Sequence, residues 1–320
     1  MPPSHAANNQ TTLGRSVRLD GIGVHGGAPA RMALHPAEPG HGVTFHRVDL
    51  ADEPVVEARW TNVTAGEWRT RLGEPGRSVE SVEHVLAALA GLGVDNARIE
   101  VDGPEIPILD GSAQAFVEAI DEAGIVGQSK PRRVLVVRAP VRVSLGPAFA
   151  ELAPGGEGGL TLDVSIDYAD PAIGRRRRVS ALDPASFRAD IARARTFGFV
   201  ADVERMWRTG FARGSSLDNS VAIAHSRVLN AGGLRFPDEF VRHKTLDAIG
   251  DLALAGEPII GIFRSVRGGH RLNHAVLRAL FANPSAWVWD EREPSPARAP
   301  LFFGCRGGSA TDPSSIGHNP

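Results

Sequence analysis

Cysteine is almost missing from this sequence. Its 320 residues hold one, Cys305, which excludes an intrachain disulfide and a zinc site built from cysteines. That usage fits a reducing compartment. There is also no unbroken apolar run of the roughly 20 residues a bilayer-spanning helix needs. The first residues, MPPSHAANNQTTLGRSV, lack an apolar core of the signal-peptide kind. A cytoplasmic protein with no stable membrane insertion is the expectation. An excess of one charge is absent too, since the formal net charge is −2. Nucleic-acid binding needs a clustered basic excess, so no nucleic-acid partner is expected. The one basic run, Arg175 to Arg178, reads first as a solvated strand end and second as a phosphate site. A dinucleotide fingerprint is missing as well. The glycine-rich GIGVHGG (21–27) follows too little strand and has the wrong spacing, so it reads as a tight turn between strands.

What is present is a soluble globular composition, 42% hydrophobic and 22% charged, in a chain long enough for one large or two ordinary domains. Residues 1–12 read as a disordered N-terminus, and 13–60 as short strands with turn punctuation. A helix begins near Ser81, with Val82, Val85, Leu86, Leu89 and Leu92 on one stripe and Gly91 and Gly93 able to end it. NARIEVDG alternates like a strand. Ser112 is placed to cap a second helix that Gly124 ends. IVGQSKPRR (125–133) has linker composition, giving an N-terminal domain over 13–125, a linker over 126–132 and a C-terminal domain over 133–289. Within the latter, three strand words precede a βαβ insert near 193–223. A helix over 238–255, a buried strand EPIIGIFRSV and a last helix RLNHAVLRALFA follow. The tail over 290–320 is rich in Pro, Gly, Ser and Arg and reads as poorly ordered. Both halves run strands then helix without a sequence repeat, which argues for α+β layers in each.

The helix at 238–255 is mostly apolar, yet it carries His243, Asp247 and Asp251 at intervals of four. His243 and Asp247 can point at one spot, while Asp251 has drifted by roughly 80° around the axis. Buried Asp and His must be paired or bound to a metal, and the pattern leaves both readings open. In VEHVLAALAG, His84 sits on the apolar side of its helix, directly after Glu83. A catalytic zinc site needs three protein ligands and a nearby carboxylate that is not a ligand. Neighbouring helical residues diverge by roughly 100°, so if His84 is a ligand Glu83 is placed to be the base. In RGGHRLNH, His270 follows Gly268 and Gly269, which let the backbone approach a ligand. Thr196 in RARTFGF signals nothing by itself, and Phe197 and Phe199, at spacing two, read by pattern as core. His274 and His25 have no partner that spacing alone reveals.

Taken together, GIGVHGG, VEHVLAALAGLGVDNARIEVDGPEIPILDGSA, ARTFGF, LNAGGLRFPDEFVRHKTLDAIGD and GGHRLN resemble the UDP-3-O-acyl-N-acetylglucosamine deacetylase family, zinc amidases of the lipid A pathway in Gram-negative bacteria. The words span about residues 13 to 285. The resemblance implies an α+β fold of two domains of similar topology, each a sheet packed on helices, with the active site between them. It implies Zn2+ held by His84, His243 and Asp247, with Glu83 as general base and His270 as general acid. Thr196 would stabilise the oxyanion and Asp251 would orient or charge-balance the acid. Lys244, Phe197, Phe199, Arg267 and Gly269 would meet the substrate, a UDP-linked acylated N-acetylglucosamine. The chain is expected to act as a monomer. Arg267 stands where the family often has lysine, which keeps the charge but turns a point donor into a planar fork. SLGPAFAEL lacks a lysine that some members use for the nucleotide. The apolar side chains of 197–211 suffice to build a groove for the acyl chain.

Overall fold

The structure, a computed structural model, describes residues 8–64, 66, 68–155 and 158–291. The N-terminal half opens with β1 (Asn9–Leu13), β2 (Val17–Ile22), β3 (Pro29–Pro36), β4 (Val43–Arg47) and β5 (Val55–Glu57). Three short strands follow: β6 (Val63–Thr64), β7 (Arg71–Leu72) and β8 (Val79–Glu80). Next come α1 (Glu83–Leu92), β9 (Ala97–Val101) and α2 (Gln114–Ala123). The main sheet has the order β2-β3-β9-β4-β5, with β4 and β9 parallel and the other pairs antiparallel. Gly93 ends α1 in the left-handed region at φ 76°, where a side chain would be strained. Gly91 lies inside the helix instead. Ala113, not Ser112, occupies the N-cap of α2, and the Ser112 hydroxyl accepts from Gln114 N one position later.

The second half begins with β10 (Ile125–Pro131), β11 (Arg133–Val137), β12 (Val141–Leu145), β13 (Ala148–Ala153), β14 (Leu160–Asp167) and β15 (Arg175–Ala181). After a one-turn helix α3 (Pro184–Ser186) come β16 (Phe197–Phe199), α4 (Val200–Arg208), β17 (Val221–Ala224) and β18 (Arg227–Val228). The half closes with α5 (Glu239–Ala253), β19 (Ile259–Val266), α6 (His270–Phe281) and β20 (Trp287–Glu291). Strands β16 and β17 are parallel with α4 between them, a βαβ unit. The stretch of linker composition is regular for most of its length, because β10 pairs antiparallel with β1. That pairing also orders Asn9 to Thr12, which composition placed in a disordered terminus; residues 1–7 lie outside the described residues. At the other end Asp290 and Glu291 complete β20, pairing with β11, and the rest of the expected tail is outside the described residues.

The two halves repeat one topology. A hairpin (β2–β3, β12–β13) joins a central strand antiparallel (β9, β19), and the central strand takes a parallel neighbour (β4, β14) that is itself in a hairpin (β5, β15). One helix precedes each central strand (α1, α5) and one follows it (α2, α6). The chain is thus α+β, with a sheet packed on helices in each half. Of the RRRR run, Arg175, Arg176 and Arg177 are exposed on β15, while Arg178 pairs with Asp190 and Asp238.

The equivalent helices α1 and α5 pack on each other. This is why α1 is buried on nearly every side, rather than along one stripe. Gly250 keeps the α5 surface low where it meets α1, and Gly91 does the same for α1 where it meets Phe187. A Cβ on Gly250 would lie 2.0 Å from the Glu83 carbonyl oxygen, and one on Gly91 would lie 2.4 Å from the Phe187 ring. The first clash is with main chain, which has no rotamer to yield. Gly250→Ala should therefore cost about 3 kcal/mol, the upper end for overpacking, and weaken the site these helices build. Gly127→Ala, whose Cβ meets nothing within 4 Å, is the control and should melt as wild type does. A Gly250→Ala protein with an unchanged melting midpoint would show that the two helices do not touch as described.

Candidate active site

The α1–α5 crossing places three potential ligands together. Nε2 of His84 lies 3.7 Å, and Nε2 of His243 3.3 Å, from Asp247 Oδ1. All three ligand atoms fall within 4.8 Å of one another, and all three residues are buried. Tetrahedral ligands about 2.0–2.1 Å from zinc sit about 3.4 Å apart, so the separations suit one ion. The protonation states fit as well. His243 Nδ1 is 3.0 Å from the Ala194 carbonyl, which can only accept, so Nδ1 carries the hydrogen and Nε2 keeps its lone pair. Burial, with His84 nearby, lowers the His243 pKa to about 4 against the pull of Asp247, so the ring is neutral at pH 7. Burial opposes ionisation of Asp247, but His243 and Lys244 overcome it and hold the carboxyl well below its usual range. Lys244 Nζ donates to Asp247 Oδ2 at 2.7 Å, leaving Oδ1 for a cation. The neutral imidazole of His243, the imidazole of His84 and one carboxylate are a donor set that zinc accepts.

Beside this group lies a second one. Glu83 Oε1 is 3.7 Å from His270 Nε2. Burial pushes the Glu83 carboxyl up, with His270 and His84 opposing. His270 begins α6, and its Nδ1 donates to Asp251 Oδ2 at 2.8 Å. Burial alone would lower this histidine, but the charge and hydrogen bond of Asp251, with Glu83 behind them, raise it to about 9. Asp251 is fully buried and has four partners. Oδ1 accepts from Thr70 Oγ1 at 2.5 Å and lies 3.1 Å from His274 Nε2, while Oδ2 also accepts from Asn273 Nδ2 at 2.8 Å. Those partners hold its carboxyl far below the ordinary range despite its burial.

The other expected site residues divide. Thr196 lies between Ala194, which fixes the His243 tautomer, and Phe197, whose ring centroid is 6.2 Å from that of His243. Its N–H donates to the Gly111 carbonyl at 2.8 Å and its carbonyl accepts from Val221 N at 2.7 Å. Its hydroxyl has no hydrogen-bond partner among the described residues. Gly111 must be glycine here, with φ 78° and a Cβ position 1.8 Å from the Asn219 carbonyl oxygen. Phe197 is half-buried against Tyr168 and Phe240, and Phe199 leans on Tyr168, so neither is the simple core residue its pattern suggests. Lys244 and Gly269 line one small cleft with Gly268 and Asn273. Arg267 is turned away to Asp167 at 2.6 Å.

Sequence reasoning missed several residues. His274 is one helical turn from His270 and shares its carboxylate, a signal that the i, i+4 spacing carried. Thr70 and Asn273 carried no such signal. Nor did the buried pair behind Thr196, in which Glu239 accepts from Arg195 N and Nε at 3.0 and 2.8 Å. The GIGVHGG turn is pinned by the buried Glu105 carboxylate, which accepts from His25 N and Gly26 N, each at 2.9 Å. A side chain at Gly23 would strike that carboxylate.

Comparison with known proteins identifies the family. A family model described as UDP-3-O-acyl N-acetylglycosamine deacetylase matches residues 10–282. Curated relatives named UDP-3-O-acyl-N-acetylglucosamine deacetylase from Brucella ovis, Brucella canis and Brucella abortus (strain S19) are each 47% identical over 279 residues. Each match covers 87% of this chain and 97% of the relative. With the match running from β1 to the end of α6 and so taking in every helix of the polar cluster, the chain belongs to the UDP-3-O-acyl N-acetylglycosamine deacetylase family.

Proposed function

We propose that this protein removes acetate from UDP-3-O-acyl-N-acetylglucosamine by zinc-dependent amide hydrolysis, the committed step of lipid A biosynthesis. The observation that carries the reading is the meeting of Glu83 and His84 from α1, His243, Asp247 and Asp251 from α5, and His270 from α6 in one buried cluster. His84, His243 and Asp247 would hold the ion. The chemistry zinc supplies when bound is Lewis-acid polarisation of the amide carbonyl and activation of water toward deprotonation.

The chain's own groups do the rest. Glu83, ionised, takes a proton from the attacking water. Thr196, whose hydroxyl has no partner among the described residues, donates to the carbonyl oxygen as negative charge develops there. His270 holds its Nδ1 hydrogen on Asp251 and so presents Nε2–H, on the Glu83 side, to the leaving sugar amine. Lys244 and Gly269, in one cleft, take the polar portion of the substrate. No residue of α4 is fully buried, and Val200 and Trp207 are exposed. That helix, with Phe197 and Phe199, supplies apolar surface for the acyl chain. Arg267 would have to leave Asp167 to meet a phosphate. The reading further holds that the protein works as a cytoplasmic monomer; no described helix is long and apolar enough to cross a membrane.

Measurements of products, metal content, substrate preference and pH dependence test this. The purified protein, mixed with the acylated UDP-sugar, should release acetate and a free amine in equal amounts, and should hold about one zinc per chain. His84→Ala, His243→Ala and Asp247→Ala should each lose metal; full occupancy in all three at stoichiometric zinc would sink the ligand assignment. Binding energy from a remote group can act at the reacting centre, so a substrate without the acyl chain should lose much of its kcat/KM. Equal values for both substrates would remove the apolar groove from the account. The pH profile should be bell-shaped, because Glu83 must be ionised and His270 protonated. Losing the His270 proton gives a basic limb near 9, a value that belongs to the coupled site. Asp251→Asn removes the charge that raises His270, so this limb should move to lower pH. An unmoved limb would detach Asp251 from the acid. His270→Ala should keep its zinc and lose about 10²–10⁴-fold in kcat.

A further inference from the structure

Thr70 touches both proton-transfer groups, yet no role above uses it. It precedes β7 and is fully buried. Its main-chain N–H donates to Glu83 Oε2 at 3.1 Å, and among the described residues no other hydrogen bond reaches that carboxylate. Its hydroxyl donates to Asp251 Oδ1 at 2.5 Å and lies 3.1 Å from His274 Nε2 and 3.3 Å from His270 Nδ1. A hydroxyl has one hydrogen, and an ionised carboxylate only accepts, so that hydrogen belongs to Asp251 and the oxygen lone pairs face the histidines. Thr70 is itself held, because its carbonyl accepts from Ser81 N at 3.0 Å, two residues before Glu83.

We propose that Thr70 is a positioning residue that fixes the general base and the general acid relative to each other. The proposal rests on the assignment of those roles to Glu83 and His270. Through its backbone Thr70 anchors Oε2 of Glu83 and leaves Oε1 directed at His270 Nε2. Through its hydroxyl it sets the carboxylate that orients the His270 ring. One residue thereby spans α1, α5 and α6 at the point where both protons move.

Thr70→Val keeps the shape and the backbone N–H but removes the hydroxyl, and Thr70→Ser restores it. In Thr70→Val, kcat should fall about 10- to 100-fold, as for loss of a residue that orients a reacting group. KM and zinc content should stay near wild type, and Thr70→Ser should recover most of kcat. Wild-type kcat in Thr70→Val, or equal loss in both variants, would overturn the proposal. So would a rise in KM alone. Failure of both Thr70→Val and Thr70→Ala to fold would also overturn it by assigning the residue to stability. The imidazole ¹⁵N spectrum of the zinc-loaded protein reads the His270 placement without substrate. An inactive wild type would therefore refute the proposed function while leaving this test in force. The His270 Nδ1 signal should keep its hydrogen-bonded position in Thr70→Ser and move in Thr70→Val. An unchanged signal in Thr70→Val would count against the proposal.

Discussion

The contact between α1 and α5 is the constraint on which the rest depends. Each helix precedes the central strand of its own sheet, and the two meet where Gly250 lies against the Glu83 main chain. Close approach is possible because α5 carries a glycine, Gly250, at the crossing. That approach brings His84 to 3.7 Å from Asp247 across more than 160 residues of sequence. A bulkier crossing would leave two sound halves and no joint site. Packing and the polar site share one contact here: the main chain that forbids a side chain at Gly250 belongs to Glu83, a member of the buried polar cluster.

The polar groups at this crossing would be costly if they stood alone, since buried charges must be paired. The structure pairs them in a definite order. Asp247 gives one oxygen to Lys244 and keeps the other toward the two histidines. Asp251 divides its oxygens between Thr70 with His274 and His270 with Asn273. These partners separate the two histidines that matter most. His243, more desolvated than balanced, is lowered to about 4 and kept neutral, whereas His270, facing an ionised aspartate, is raised to about 9. One becomes suited to bind a cation and the other to carry a proton.

Much of the local structure was legible in the residues. The stripe after Ser81, the left-handed Gly93 cap, the glycine-ended α2 and the apolar EPIIGIFRSV all form elements close to those expected. The i, i+4 pair His243 and Asp247 does face one spot, and the side chains of Glu83 and His84 do reach different neighbours, His270 and Asp247. The misjudged segments are those whose fate depends on a distant partner. IVGQSKP has the composition of a linker, yet it is a strand because β1 lies beside it, and Asp290 joins a strand because β11 does. Phe197 and Phe199 alternate like core residues, but the short sheet that holds them leaves both half-buried. Thr70 was invisible because its importance lies in four neighbours from three helices.

The sequence by itself determined which residue types could do the chemistry and which of them share a helix face, because helical periodicity is a local property of the chain. Together with its family words it also determined the fold class. Only the tertiary structure decided that α1 and α5 are equivalent helices of a repeated topology, which no sequence repeat betrays. Only it decided that Lys244 faces a metal-ligand candidate, that Arg267 is held by Asp167, and that Asp251 is saturated by four partners. These facts concern distances between residues far apart in the chain, and such distances are set by which surfaces pack and how closely, so they appear only once the whole core is assembled.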